Sequence, residues 1–252
     1  MKAAVESGDA KKVAELIKQD PGFNVNMVTN RIWFTLLHVA CFEDSRSAVI
    51  PLLLAHPDID VNSNDGFGRT PFYLACEYGH TSCVREMLKD SRVDVNEPNT
   101  RGETPLWRAA CYGHIGVIKW WIASGREMYL GKPGNEETDA IGVAKQRGNT
   151  EVVTLLERFK NDAAQTRHAM RVELGLLDAL AAEMFSLVVF VSDGLLQVKH
   201  TTPSPAARFF TIATQLPLEL QMVLCFRQFG SAKEIISGKD SEAVFKYLAS
   251  RI

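Results

Sequence analysis

Segments of this chain align with one another at a spacing of 34 to 36 residues, and no other feature narrows its possible folds as tightly. The clearest pair is Thr70-Pro71-Phe72-Tyr73-Leu74-Ala75-Cys76-Glu77-Tyr78-Gly79-His80 and Thr104-Pro105-Leu106-Trp107-Arg108-Ala109-Ala110-Cys111-Tyr112-Gly113-His114. Val25-Asn26, Val61-Asn62 and Val95-Asn96 recur in register with them. A unit of this length holds two short helices and a turn. It cannot bury an apolar face alone, so neighbouring units must stack and share one core.

Each copy carries its own start signal. Thr35, Thr70 and Thr104 stand where a hydroxyl can cap a first helix, and proline follows at the first helical position in two of them. The second helix shows apolar triplets at helical spacing: Val13/Leu16/Ile17, Val49/Leu52/Leu53, Val84/Met87/Leu88 and Ile118/Trp121/Ile122. A fifth copy offers Val153/Leu156, with Glu157 at the third place. These faces are expected to merge into a continuous interior.

The three motifs together resemble the ankyrin repeat. Thr35-Leu36-Leu37-His38, Thr70-Pro71-Phe72-Tyr73 and Thr104-Pro105-Leu106-Trp107 match the family's T-P-L-H stretch, and Gly79-His80 and Gly113-His114 match its Gly-His pair. The resemblance implies an all-α solenoid of about five helix-turn-helix repeats over residues 1–160, near 1–26, 27–62, 63–96, 97–131 and 132–160. The outer copies depart most: Ala3-Ala4-Val5 opens the first and Asp139-Ala140-Ile141-Gly142-Val143-Ala144 the fifth. Terminal repeats are expected to be atypical, because one side meets water or another domain. Repeat two departs inside, with Leu36 in place of proline and Asp44-Ser45 in place of Gly-His. A turn that wants positive φ is less comfortable there.

Residues 161–252 lack the repeat and are expected to form a mostly helical domain packed on the last repeats. Ala163 to Ala182 reads as helix. Leu187 to Val191 with Leu195 to Val198 fits a hairpin around Asp193-Gly194, while Ala179 to Val191 fits equally one buried helix that ends at Gly194, and the helix formers Ala181, Ala182, Glu183 and Met184 favour the helix. A further helix is expected from Leu218 to Phe229. Leu216-Pro217-Leu218-Glu219-Leu220 with Val223-Leu224 resembles the opening of an F-box, which docks ubiquitin-ligase adaptors. That resemblance implies the alternative of a ligase substrate receptor, over about ten residues and with no tryptophan after Trp121. Proline followed by leucines also starts many buried helices.

The outer face of the second helices runs Glu15, Pro51, Glu86, Trp120 and Leu155. It turns apolar in the last two copies, and exposed apolar area of that kind calls for a cover. Trp120 and Leu155 are therefore the expected interdomain residues, the alternative being that Trp120 packs within its own stack.

Charge and composition narrow the function. The chain has 28 basic and 30 acidic residues, a net charge of -2. No half shows the basic surplus of a nucleic-acid binder, which weighs against Lys119-Trp120-Trp121 and Arg126 as a stacking platform. The longest apolar stretch, Met184 to Val191, falls far short of the roughly 20 residues that span a bilayer. Five cysteines without a close-spaced pair read as reduced thiols of an intracellular, by default cytoplasmic, protein. His38 with Cys41, and His80 with Cys76 and Cys83, have ligand spacings, but no second compact pair completes a zinc set. No phosphate-binding glycine loop or nucleophile elbow occurs, and Asp193, Asp240 and Glu242 stand isolated. No enzyme activity, cofactor or metal is expected, the alternative being an enzyme or ligase component whose activity lies in 161–252.

What remains is protein recognition by a monomer. The ankyrin resemblance implies that a partner binds the inter-repeat turns and the inner face of each first helix. Those positions are Arg31, Ile32 and Phe34, then Phe67 and Arg69, then Thr100, Arg101 and Glu103, with Phe42, Glu43, Glu77, Tyr78, Cys111 and Tyr112 on the helices. Aromatics and arginine are typical interface anchors. The competing reading is that individual aromatics pack on the neighbouring turn.

Overall fold

The structure, a computed structural model, describes residues 1–30, 32–131, 134, 138–193, 209, 211–216 and 218–228. It divides into two compact units, Met1–Met170 and Arg171–Ile252. All regular elements among the described residues are helical.

The first unit is a two-row stack. The first helices of the five copies are α1 (Lys2–Glu6), α3 (Leu36–Cys41), α5 (Pro71–Glu77), α7 (Pro105–Tyr112) and α9 (Ala140–Gln146). The second helices are α2 (Ala10–Gln19), α4 (Ile50–Leu54), α6 (Thr81–Leu88), α8 (Ile115–Ser124) and α10 (Thr150–Asn161). Each first helix packs on the next first helix and each second helix on the next second helix. The shared interior includes Leu36, Leu37, Phe72, Leu74, Met87, Leu106, Ile118 and Trp121, all without measurable exposure. Trp121 meets Phe72 edge to face, with ring centroids 5.1 Å apart.

The capping signals act as the spacing requires. Thr70 accepts from the Tyr73 amide at 3.1 Å, and Thr104 from the Trp107 amide at 3.3 Å. Asp9 and Asp139 do the same for α2 and α9, accepting from Lys12 at 2.9 Å and Gly142 at 2.7 Å. Each satisfies an amide that the first turn of a helix leaves without an internal partner.

The recurrent Val-Asn pairs explain how copies lock together. Asn26 donates to the Asp58 carbonyl and accepts from the Asp60 amide; Asn62 does so with Arg92 and Asp94, and Asn96 with Glu127 and Tyr129. The Gly-His pairs add a second tie. His80 donates to the Cys41 carbonyl and His114 to the Glu77 carbonyl, at 3.0 and 2.9 Å. Gly79 has φ +74°, and a Cβ there would lie 2.5 Å from the His114 ring. Glycine is needed both for the turn and for the next histidine.

Repeat two shows what its missing glycine does. The segment Asp44–Val49 winds as a 3₁₀ helix before α4 begins, and Asp44, at the place of Gly79, does not take the positive φ of that glycine. Asp44 gains another use: its carboxylate accepts from Ser82 N, Ser82 Oγ and Cys83 N at 2.7, 2.8 and 3.3 Å. It thus caps α6 of the following copy, whose own N-cap residue, His80, makes no side-chain cap.

The expected apolar triplets hold fully in repeats three and four and shift elsewhere. In repeat one only Val13 is fully buried, as suits a terminal copy. In repeat two the tighter 3₁₀ winding turns Val49, Ile50 and Leu53 inward and leaves Leu52 half-buried. In repeat five the buried stripe is Val152, Leu155, Leu156 and Phe159, while Val153 is half-buried. Val152 occupies the place of Cys83 and Val117, which are also inside.

Beyond α10, α11 spans Ala163–Glu173 and α12 spans Leu176–Ser192. The single helix expected over 163–182 is thus broken, because Gly175 adopts φ +67°. α12 runs through 187–191, the first arm of the alternative hairpin, whereas 194–198 lie outside the described residues. In the second unit α12 packs on α13 (Leu218–Gln228), around Ala181, Ala182, Phe185, Val188, Ala213 and Cys225. Of the F-box-like stretch 216–224, Pro217 and the side chains of Leu218 and Glu219 lie outside the described residues, as does the segment around Asp240 and Glu242. No single helix among the described residues is long and apolar enough to cross a membrane.

Candidate protein-recognition surface

Three turns with a shared construction lead into α3, α5 and α7. Each holds an acceptor side chain five residues before the capping threonine: Asn30, Asp65 and Asn99. Asn30 Oδ1 accepts from the amides of Ile32 and Phe34, Asp65 Oδ1 from those of Phe67 and Arg69, and Asn99 Oδ1 from those of Arg101 and Glu103. Such side-chain turns fix the loop without a helix or sheet around it. Successive turns are then joined by backbone: Gly66 N donates to Ile32 O at 2.9 Å, and Thr100 N to Phe67 O at 3.0 Å. The result is a ladder of turns whose tips are Ile32, Phe67 and Arg101. All three are exposed, Phe67 by 53%. Arg31, expected beside them, lies outside the described residues.

Behind the turns sits a polar network spanning repeats three and four. Arg69 bonds Asp65 at 2.8 Å and Glu77 at 3.1 Å. Arg108 reaches Glu77 at 3.4 Å and Glu103 at 3.2 Å, and donates to the Tyr73 hydroxyl at 3.2 Å. Asn99 Nδ2 donates to Tyr73 Oη at 2.9 Å and to Glu103 Oε2 at 2.6 Å. Glu77 and Glu103 are buried. Arg69, Glu77 and Glu103 therefore bond within the stack, which costs little only because every charge has a partner. Burial also pushes the Tyr73 phenol well above its ordinary range, so it remains a neutral donor and acceptor.

One repeat position shows how flexible the sequence rule is. His38, Tyr73 and Trp107 share the family's histidine place, and each reaches the following copy with its polar tip. His38 Nε2 lies 3.0 Å from the Arg69 carbonyl, Tyr73 Oη bonds Asn99, and Trp107 Nε1 donates to the Thr138 carbonyl at 3.1 Å. The duty is a polar atom at the end of a flat, buried ring.

The aromatic residues divide into two groups. Phe34 is only 5% exposed and stacks on His38, at 5.3 Å between centroids, so it is part of the packing. Phe42, Tyr78 and Tyr112 stay exposed at the ends of α3, α5 and α7. Phe42 meets Tyr78 edge to face at 5.1 Å, and the Arg108 guanidinium stands 5.6 Å from the Tyr112 ring. Arg69 lies over the Phe67 ring at 4.9 Å. Glu43 pairs with Arg46 at 2.8 Å, and Arg46 also bonds the carbonyls of Glu6 and Val39.

Elsewhere, Trp120 is half-buried with the Arg85 guanidinium 5.5 Å from its ring, and Leu155 is buried. Arg126 is spent on the carbonyls of Asp90 and Val93. All five cysteines are buried free thiols; burial drives the Cys41 and Cys76 thiols well above their ordinary range and Cys83 up to about 12. Among the described residues no His, Cys, Asp and Glu cluster is arranged to hold a metal. A cleft of about 480 Å³ between α9 and α10 is bridged by Lys145 and Glu157 at 2.7 Å, and Ile141 is its sole apolar wall.

Sequence reading missed Trp33, Asp65, Tyr73, Asn99 and Arg108 as parts of this surface. Asp65 and Asn99 could have been found by aligning backwards from the capping threonines. Arg108 carries no signal of its own, because its partners lie in other segments and in the preceding copy.

The fold and this surface define a class, a solenoid of stacked helix pairs that serves protein–protein interaction. Residues 37–131 are ankyrin repeats, matching that family in three copies. The chain is also similar over 61 residues to the SMC5-SMC6 complex localization factor protein 1 of Bos taurus and Homo sapiens, 46% identical in each, and of Mus musculus, 43% identical. The shared stretch is 24% of this chain and spans only 6% of the length of these relatives.

Proposed function

We propose that the chain is a non-catalytic recognition scaffold that holds a partner protein along the turn ladder and the first-helix edge of its repeats. The observation that carries this reading is the exposed series Ile32, Phe67, Phe42, Tyr78 and Tyr112, set beside a floor whose charges are already paired. Large aromatic surfaces held rigid before binding lose little entropy on association, which makes them suitable anchors. The relatives are named as localization factors of a complex, and a tethering role for this chain fits that name. Free, buried thiols fit an intracellular setting, and the surface needs only one copy of the chain. The unit from Arg171 onward supplies a second helical module, for capping or for another partner.

Affinity capture with the intact chain tests the reading, repeated with Phe67, Tyr78 and Tyr112 changed together to alanine. A specific partner that is retained by the native chain and lost by the triple variant, with the melting temperature preserved, is the expected result. Retention by the triple variant would place the partner elsewhere.

A further inference from the structure

The turn before α3 contains a residue that folding alone does not ask for. Aligned from the capping threonines, Trp33 falls at the place of Gly68 and Gly102. Those glycines have φ +71° and +79°, and Trp33 is held at φ +62°, the only positive φ of a non-glycine residue in the described chain. A bulky side chain is unusual in that region and carries a strain cost that glycine avoids. The indole is not repaid by burial, since Trp33 is 62% exposed. Strained residues with exposed aromatic side chains are hallmarks of sites that serve binding.

The neighbours of Trp33 set the chemistry. Ile32, on the same tip, is exposed, and its carbonyl accepts from Gly66, which places it next to the turn of Phe67. Phe67 is in turn joined through its carbonyl to Thr100, beside Arg101. The acids of these turns face inward: Asp65 has no side-chain exposure and Glu103 has 5%, both bonded to arginines. Arg101 is exposed, and its guanidinium has no ion-pair partner among the described residues. The outward face of the ladder is thus apolar with an available positive charge.

We propose that the edge formed by Ile32, Trp33, Phe67 and Arg101 docks an acidic peptide segment that carries an apolar side chain, with Trp33 as the anchor for that side chain. This rests on the protein-recognition reading above and adds the chemistry of the partner. The exposed indole and the open face of the Phe67 ring, whose other face carries the Arg69 guanidinium, offer apolar surface to an aliphatic or aromatic group, and Arg101 draws a carboxylate into register. Charge of one sign at an interface rim steers association and rejects partners of the same sign.

The test titrates the intact chain with three sets of short fluorescent peptides: acidic with a central leucine or phenylalanine, the same with lysine in place of each acid, and acidic with serine in place of the apolar residue. Binding by the first set, with the other two weaker by about tenfold or more, is expected. Trp33→Gly is expected to weaken binding by a similar factor while the melting temperature stays level or rises, because glycine suits the left-handed turn. Arg101→Glu should weaken the acidic set and strengthen the lysine set. Equal or preferred binding of the lysine set, no binding of the acidic apolar set, or unchanged affinity in Trp33→Gly would each overturn the inference. A fall in the melting temperature of Trp33→Gly would also overturn it, by making Trp33 a folding residue. Should Trp33→Gly keep its affinity while alanine at Phe42, Tyr78 and Tyr112 abolishes it, the wider recognition reading stands and only the edge is wrong.

Discussion

Glu77 Oε1 lies 3.4 Å from Arg108 Nε, across the interface between the third and fourth repeats, while its other oxygen holds Arg69 at 3.1 Å. One carboxylate therefore serves two arginines from successive copies. Removing it leaves both guanidinium groups short of a partner in a site where neither has free access to water.

Glu77→Ala is expected to destabilise the first unit by about 3–5 kcal/mol, the range for removing one partner of a buried charged pair. Arg108→Ala should cost less, since Glu77 keeps Arg69. The double variant should cost less than the sum of the two. Chemical denaturation of the native chain and the three variants checks this, and strict additivity would refute the coupling.

Tyr73→Phe removes a hydroxyl that Arg108 and Asn99 both bond, and leaves the ring in place. A loss of about 1–2 kcal/mol is expected, because the abandoned donors are partly buried. Thermal melts of the two proteins, with unchanged far-ultraviolet dichroism, measure it. An equal melting temperature would mean that water replaces the phenol at no cost.

His38 should make the stack sensitive to mild acid. Burial lowers its pKa from the ordinary 6.5, opposed by its bond to the Arg69 carbonyl. Its Nδ1 accepts from the Thr35 amide at 3.2 Å, which requires the neutral ring. The group therefore binds its proton more readily when unfolded. Stability is complete above about pH 6.5 and falls as the pH drops below it. Denaturation curves between pH 5 and 7.5 should show this slope in the native chain and a shallower one in His38→Gln. Parallel slopes would remove His38 as the cause.

Asp44→Ala takes the cap from α6 without touching α6 itself. A cost of about 1 kcal/mol is expected, the usual value of a lost helix cap. Hydrogen exchange should show the amides of Ser82 and Cys83 losing protection before the rest of the helix. Uniform loss across repeats two and three would mean that Asp44 acts only through general stability.

Much of this architecture was readable in the residues because its causes are local and repeated. Thr70, Pro71, Gly79 and Asn62 each act through bonds set by spacing within one or two copies, so a period of 34 to 36 residues exposes them. The surface was less legible. Phe34, Glu77 and Glu103 have the residue types of a binding face, yet the fold buries them among partners inside the stack. Trp33 announces itself only once its φ is known, because nothing in the letter W says that the turn beneath it is left-handed.

The chain by itself determined that paired helices would stack in register, since caps, glycines and apolar spacing act over short distances and recur. Tertiary structure alone decided which side chains remain outside. That choice depends on how neighbouring copies meet: the Arg69–Glu77–Arg108 bridge closes only after stacking, and with it the acids turn inward and the aromatic edge is left facing water.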